Sequence, residues 1–288
     1  MRKILLASTA LVAMTSVSAI AADISISGVT EFKYTNNTEE ATDESKFGVE
    51  SDIAIKFSNT TDSGITTTMT YGIDDSDGGA DDMNASMSGD FGKILIVNGG
   101  ADDGLVEGMT DVVNFANDGS DLAFGVGTGV GGGNSISYQL PTLVEGLTVA
   151  VQHSNAKDDE NSGYGVTYNA GFATIRVASM DNNTAENSAA SISATVAGIG
   201  VGYESVSSQV IGGDETTFKG YGLSYALADG IKLGYEAGDK EVGTTESSYT
   251  QIEVDYTVAP GITLSATSSE VDAATDISSL DINLALSF

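Results

Sequence analysis

Residues 277–288, with the sequence ISSLDINLALSF, alternate apolar and polar side chains to the end of the chain. Successive side chains of a strand point to opposite faces, so this spacing predicts a strand with one apolar and one polar face. The apolar face would carry Leu280, Ile282, Leu284, Leu286 and Phe288. The polar face would carry Ser279, Asp281, Asn283 and Ser287. The alternative is an ordinary edge strand that happens to end in phenylalanine.

The same period of two runs back along the chain to Asp23. Residues 24–34 place Ile24, Ile26, Phe32 and Tyr34 on one face of a strand, opposite Ser25, Ser27, Glu31 and Lys33. Residues 46–58 repeat the pattern. No stretch shows the periodicity of an amphipathic helix of ordinary length. The chain is therefore predicted to be all-β.

Turn residues divide the chain into hairpins with two kinds of connection. Short turns are predicted at residues 60–64, 90–92, 141–146, 170–171, 197–198, 228–230 and 259–261. Longer acidic loops are predicted at residues 36–45, 75–82, 100–134, 156–161, 181–187, 209–216, 240–246 and 271–276. These connections predict about 16 strands. Short turns at one end and long loops at the other, with an even strand number, are typical of a closed antiparallel transmembrane β-barrel with periplasmic turns and external loops.

The charge and composition exclude several classes of function. The 288 residues include 41 acidic and 11 basic side chains, for a formal net charge of −30. Nucleic-acid binding is disfavoured, because a surface that follows phosphates needs clustered lysine and arginine. The chain has no cysteine and one histidine, which excludes disulfides and thiolate metal sites and leaves little for histidine-based catalysis.

The N-terminus has the order of features found in secretory signal peptides. Met1, Arg2 and Lys3 form a short basic region, an uncharged apolar stretch follows, and small residues stand at the positions read by a signal peptidase. Residues 1–21 are therefore predicted to be a signal peptide, and residues 22–288 to form the exported barrel domain. The alternative is a buried N-terminal helix.

Several short motifs resemble the general, non-specific diffusion porins of Gram-negative outer membranes, of the alphaproteobacterial type. They are ADISISG at residues 22–28, FGK at 91–93, SYQLP at 137–141 followed by EGL at 145–147, and LALSF at 284–288. The resemblance implies a sixteen-stranded barrel, a homotrimer and a long third loop folded into the pore. It also implies that the terminal Phe288 is the barrel-assembly signal, read by the outer-membrane insertion machinery.

The connection 100–134 is by far the longest, and loops longer than ~15 residues are usually functional or disordered. It interleaves apolar residues with acidic ones, which favours packing on a wall. Folded inward, it would line a pore constriction with carboxylates. These are Asp102, Asp103, Glu107, Asp111, Asp118 and Asp121. The alternative is a long extracellular flap.

Alternation also predicts which charged side chains face the lumen. The predicted cations of the lumen wall are Lys33, Lys56, Arg176 and Lys232. The predicted carboxylates of the wall are Glu50, Asp52, Glu204, Glu236, Glu253 and Asp255. General porins often carry a stronger arginine cluster opposite the acidic loop, and this chain departs from that pattern. The departure favours a pore that attracts cations. For each basic side chain, an ordinary solvated wall residue is an equally open interpretation.

One further acidic run lies in the predicted loop 75–82. It lacks the ligand spacing of a dedicated calcium loop, so we expect no dedicated metal site. Opportunistic binding of divalent cations remains open at Asp75, Asp77, Asp81 and Asp82.

Together these features predict a passive outer-membrane porin, through which small hydrophilic solutes and ions diffuse with a preference for cations. Such a channel breaks no bond, so we expect no enzymatic activity, no catalytic residue, no cofactor and no nucleic-acid partner. The expected partners are outer-membrane lipid, further copies of the chain in a homotrimer, and the insertion machinery. The alternative is a secreted or surface-exposed acidic β-rich structural protein of the calcium-binding or adhesin type.

Overall fold

A computed structural model describes residues 23–39, 44–74, 79–98, 105–106, 134–156, 159–181, 185–272 and 276–288. They form sixteen strands. In chain order these are β1 Asp23–Glu39, β2 Glu44–Thr60, β3 Thr66–Asp74, β4 Gly79–Gly89, β5 Gly92–Asn98, β6 Asn134–Gln139, β7 Leu147–Ala156, β8 Asp159–Asn169, β9 Ala173–Asp181, β10 Ala185–Val196, β11 Ile199–Val210, β12 Glu215–Ala228, β13 Ile231–Val242, β14 Thr245–Ala259, β15 Ile262–Asp272 and β16 Ile277–Ser287. The predicted signal peptide lies outside the described residues. In the part of the chain that the structure describes, no helix is long and apolar enough to cross a membrane.

The strands form one closed antiparallel barrel. Each strand pairs with its neighbours in sequence, and β1 also pairs with β16 along the register that runs from Val29–Ser287 to Glu39–Ile277. Closure gives each of the sixteen described strands a partner on both sides. It satisfies the requirement that backbone N–H and C=O groups pair with one another where no water is available. The predicted closed barrel and its strand number are confirmed.

The short turns lie where the sequence predicts them. β10 and β11 are joined by Ala197 and Gly198, both with positive φ, at 52° and 83°. Two-residue turns of this kind match the right-handed twist of the flanking strands. β12 and β13 are separated by residues 229–230, and β14 and β15 by residues 260–261.

At the opposite end of the barrel, several strands run further than predicted. β7 ends at Ala156 and β8 begins at Asp159, whereas the sequence predicts a loop over 156–161. β12 also runs to this end, and its outward face changes from Glu215 and Thr217 near the end to Tyr221 and Leu223 further along. Polar side chains on the outer face do not interrupt backbone pairing, so the strands continue past the apolar band. The connection after β5 is long, since β5 ends at Asn98 and β6 begins at Asn134.

The burial pattern is inverted relative to that of a water-soluble protein. In β14, Gln251 and Glu253 are 5% and 1% exposed, whereas Ile252 and Val254, which alternate with them, are 57% and 39% exposed. The concave face of a closed barrel is the shielded one, so the polar residues face the lumen and the apolar residues face outward. This is the arrangement expected of a barrel surrounded by lipid.

Candidate functional site

The cross-strand register assigns the charged side chains to the two faces of the barrel. Residues paired directly in an antiparallel ladder share a face. One such row across the shielded face runs from Lys33 through Asn283, Ser265 and Asp255 to Lys232. The register puts all the predicted wall residues on this lumen face, namely Lys33, Glu50, Asp52, Lys56, Arg176, Glu204, Lys232, Glu236, Glu253 and Asp255. Their roles in permeation stay predictions.

Lys33 is the centre of a charged network on β1 and β2. Its ammonium lies 2.6 Å from Glu50 Oε2 and 3.1 Å from Glu31 Oε2. Asn283 on β16 donates from Nδ2 to Glu31 Oε1 at 2.6 Å. One cation is therefore shared by two carboxylates, and this part of the wall keeps a surplus of negative charge.

Two more carboxylates extend that surplus across β2 and β3. Ligand oxygens of Glu50, Asp52 and Asp74 all lie within 4.8 Å of one another. Asp52 and Asp74 are direct cross-strand partners. Like charges placed directly opposite destabilise a strand pair unless a counter-charge offsets them. A cluster of carboxylates alone does not make a dedicated metal site.

Buried carboxylates also line the lumen on β13 and β14. Glu236 and Glu253 are both buried. Thr267 Oγ1 donates to Glu253 Oε2 at 3.5 Å, and Ser265 Oγ donates to Asp255 Oδ1 at 2.8 Å. Hydroxyl groups of β15 thus offset part of the desolvation of these carboxylates.

The predicted wall residues do not include every charged residue of the same face. The register adds the carboxylates Glu31, Asp74 and Asp281 and the cations Lys46, Lys93 and Lys240. Alternation had already placed Glu31, Lys46 and Asp281 on the polar faces of their strands, although they were not named as wall residues. Asp74 and Lys240 fall in or beside segments predicted as loops, so no strand phase was assigned to them.

Two residues of the predicted constriction segment are described, and both lie against the lumen wall. Leu105 N–H donates to Ser137 Oγ at 3.2 Å, and Val106 N–H donates to Gln152 Oε1 at 3.0 Å. Val106 is 0% exposed and packs with Ala150, Ala178 and Met180, which belong to the lumen face of β7 and β9. Leu105 and Val106 therefore lie inside the barrel, against β6, β7 and β9.

The acidic residues predicted for the constriction lie outside the described residues, namely Asp102, Asp103, Glu107, Asp111, Asp118 and Asp121. Asp75 and Asp77 of the acidic run also lie outside them. Asp81 and Asp82 belong to β4, of which only the backbone is described at these positions. The proposed opportunistic binding of divalent cations there stays a prediction.

Comparison with known proteins supports the same fold. A family model described as Gram-negative porin matches residues 7–276. No curated protein matches the sequence. Among solved structures, OmpT of Vibrio cholerae lacking loop L8 is 14% identical with a TM-score of 0.74, over 93% of this chain and 100% of that one. An anion-selective porin from Comamonas acidovorans is 11% identical with a TM-score of 0.70, over 93% and 100%. The trimer form of in-vitro folded V. cholerae OmpT is 14% identical with a TM-score of 0.71, over 93% and 99%.

Proposed function

The chain belongs to the Gram-negative porin family, and from that premise we propose that its barrel passes small hydrophilic solutes and ions through a water-filled lumen with a preference for cations. The outer membrane is its location, and it is a channel protein. A secreted adhesin-like or calcium-binding structural protein finds no support in a closed barrel with exposed apolar side chains on its outer face.

The observation that carries the cation preference is the sharing of Lys33 between Glu31 and Glu50. A cation held at 2.6 Å and 3.1 Å by two carboxylates contributes little positive potential to the lumen. Asp52 and Asp74 add negative charge beside it. Rings and clusters of carboxylates raise the local concentration of cations in a pore. Lys46 and Lys56 share the lumen face of β2 with these carboxylates, whereas Lys93 on β5 and Arg176 on β9 lie on other parts of the wall.

Reversal potentials in a salt gradient across planar bilayers test this preference. We expect the sign of a cation-selective pore, and we expect Asp52→Asn combined with Asp74→Asn to move the potential toward zero. A matched control is Glu270→Gln, which removes a carboxylate from the outward face of β15. Anion selectivity of the unaltered protein would contradict the proposal, as would an equal effect of the control.

We also propose that the carboxylates of residues 100–134 narrow the lumen. The support is that Leu105 and Val106 contact the lumen wall, as expected of a segment that turns inward. The wall beneath them, on β6 and β7, presents Ser137, Ala150 and Gln152, whereas the clustered carboxylates lie on β1–β3.

We propose a homotrimer as the assembly. One of the similar structures is a trimer of another porin. On the outer wall of this chain, Phe47 is 85% and Val49 is 61% exposed, and Phe47 packs against Tyr34 with ring centroids 4.9 Å apart. Such an apolar surface suits lipid or another copy of the chain. An unheated gel and mass measurement in detergent should give three chains, and a monomer in both would contradict this proposal.

A further inference from the structure

We propose that Gln152 is a positioning residue, which anchors the segment after β5 to the lumen wall and thereby sets the open cross-section of the channel. The inference rests on the proposed function, because it assigns Gln152 a role in a conducting lumen. It concerns residues on both sides of one contact, Leu105 and Val106 on the segment and Ser137 and Gln152 on the wall.

The side-chain oxygen of Gln152 is central to this contact, because it accepts two hydrogen bonds. Gln152 Oε1 accepts the backbone N–H of Val106 at 3.0 Å and the hydroxyl of Ser137 at 3.2 Å. The Ser137 oxygen in turn accepts the backbone N–H of Leu105 at 3.2 Å. A carbonyl oxygen has two lone pairs, and both are used here. Two consecutive N–H groups of the segment are therefore held by two neighbouring wall strands.

Apolar contacts of Val106 with the wall lie beside these hydrogen bonds. Val106 is fully buried against Ala150, Ala178 and Met180. Met180 has Gly163 as its direct partner on β8. A Cβ at residue 163 would collide with Met180 Sδ and with the carbonyl oxygen of Ser179, so glycine leaves Met180 the room to lie beneath Val106. The apolar contacts and the hydrogen bonds together hold Leu105 and Val106 in one position on the wall.

The wall beyond this contact is also shielded from the lumen. Ser135, Ser154 and Asn161 stand one row nearer the end where β5 leaves the barrel, and each is at most 3% exposed. Their side-chain polar atoms have no hydrogen-bond partner among the described residues. Gln152 and Ser137, 3% and 1% exposed, belong to the same shielded strip.

The anchor binds backbone N–H groups, so it holds the backbone at Leu105 and Val106 independently of the side chains of the segment. Removing the acceptor leaves a buried N–H without a partner, which favours release of the segment from the wall. The side chain of Gln152 thus acts through Val106. Its loss is expected to change the open cross-section of the lumen and to leave the strand pairing of the barrel intact.

Thiol labelling tests the anchor without any need for conduction. The chain has no cysteine, so Val106→Cys introduces a unique thiol at a fully buried position. We expect slow labelling in this variant and labelling about tenfold faster when Gln152→Leu is added. Thr148→Val, on the same face of β7 but away from the contact, should leave the rate unchanged. Gln152→Glu retains an acceptor oxygen and should preserve protection.

Single-channel recording tests the consequence. Gln152→Leu should change the conductance and broaden the open-state fluctuations, while the temperature at which the folded barrel unfolds stays close to that of the unaltered protein. Oxidation of a Val106→Cys, Ala150→Cys pair in the Gln152→Leu background should restore the original conductance, and reduction should abolish the rescue. If Gln152→Leu does not fold, Ser137→Ala is the milder variant, with smaller shifts expected in the same direction.

Unchanged labelling and unchanged conductance in the Gln152 and Ser137 variants would overturn the proposal. Lack of conductance in the unaltered protein would instead contradict the proposed function, and the labelling comparison would still decide the anchor. A conductance change with no change in labelling would also overturn it, since it would show that Gln152 acts as a lining side chain only.

Discussion

Phe288 and Gly28 exchange two backbone hydrogen bonds across the seam of the barrel. Gly28 N–H donates to the Phe288 carbonyl at 3.2 Å, and Phe288 N–H donates to the Gly28 carbonyl at 3.0 Å. The ring of Phe288 lies over the glycine, where a Cβ would come within 2.7 Å of Phe288 Cζ and 2.8 Å of the Asp52 carbonyl oxygen. An aromatic side chain covering a cross-strand glycine is a recognised means of stabilising a strand pair.

Gly28→Ala is expected to destabilise the closed barrel by about 1–3 kcal/mol, because the added methyl group overpacks the seam against a ring and a backbone carbonyl. Urea unfolding in detergent, followed by the mobility of unheated protein on a gel, would measure the change. Gly48→Ala is the matched control, since a Cβ there meets nothing within 4 Å. Equal stability of the two variants would contradict the predicted overpacking at Gly28.

Deletion of Phe288 tests the predicted assembly signal. We expect little folded protein in the outer membrane, together with partial recovery when the purified chain is refolded in detergent, because the deletion removes the recognition residue and only the last pair of seam hydrogen bonds. Leu286→Ala removes a neighbouring outward side chain and leaves the terminus intact. Normal insertion of the deleted chain in cells would refute the assembly role.

Lys33→Met should increase the preference for cations. The substitution leaves Glu31 and Glu50 without their shared counter-charge, so the negative potential of the lumen rises. Reversal potentials measure the effect, and Lys219→Met serves as the control because Lys219 lies on the outward face opposite Asp239. Because Lys33 is partly exposed, the loss of stability should be small, within about 1 kcal/mol. A shift of the potential toward anions would contradict the lumen assignment.

Glu246→Lys is expected to stabilise the barrel. Glu241 and Glu246 are direct cross-strand partners on the outward face near the tip of the β13–β14 hairpin, where their charges repel. Converting the pair to opposite charges should gain about 0.2–1 kcal/mol. Glu270→Lys is the control, because Thr250 and Ser278 are its cross-strand partners. The gain should shrink as salt is added, and a gain that is insensitive to salt would point to another cause.

The turns and loops in the sequence were sufficient for the strand number, and the alternation was sufficient for the choice of face. Each strand turns one face to lipid and one to water, so residues such as Ile252 and Glu253 carry their orientation in their own polarity. Strand ends were harder to predict. Acidic residues near Lys240 and Glu246 looked like loops, although backbone pairing continues there because the outer face is already beyond the apolar band.

The sequence likewise predicted one part of the candidate site and not another. The polarity of Lys33, Glu50 and Asp52 predicted one shared face, and the register agrees. It could not predict that Lys33 bridges Glu31 and Glu50, because such a contact depends on which residues of β1 and β2 stand opposite each other. Nor could it predict the anchor, since the backbone N–H of Val106 has no signature in the sequence.

By itself, therefore, the sequence determined a barrel of about sixteen strands with an apolar outside and a polar lumen. Its turns and loops set the strand number, and lipid on one side with water on the other imposes a period of two on every strand. Only the tertiary structure decided the seam between Gly28 and Phe288, the sharing of Lys33, and the seat of Val106 beside Gln152. These contacts join residues far apart in the chain, and their distances follow from register and closure, which no local pattern encodes.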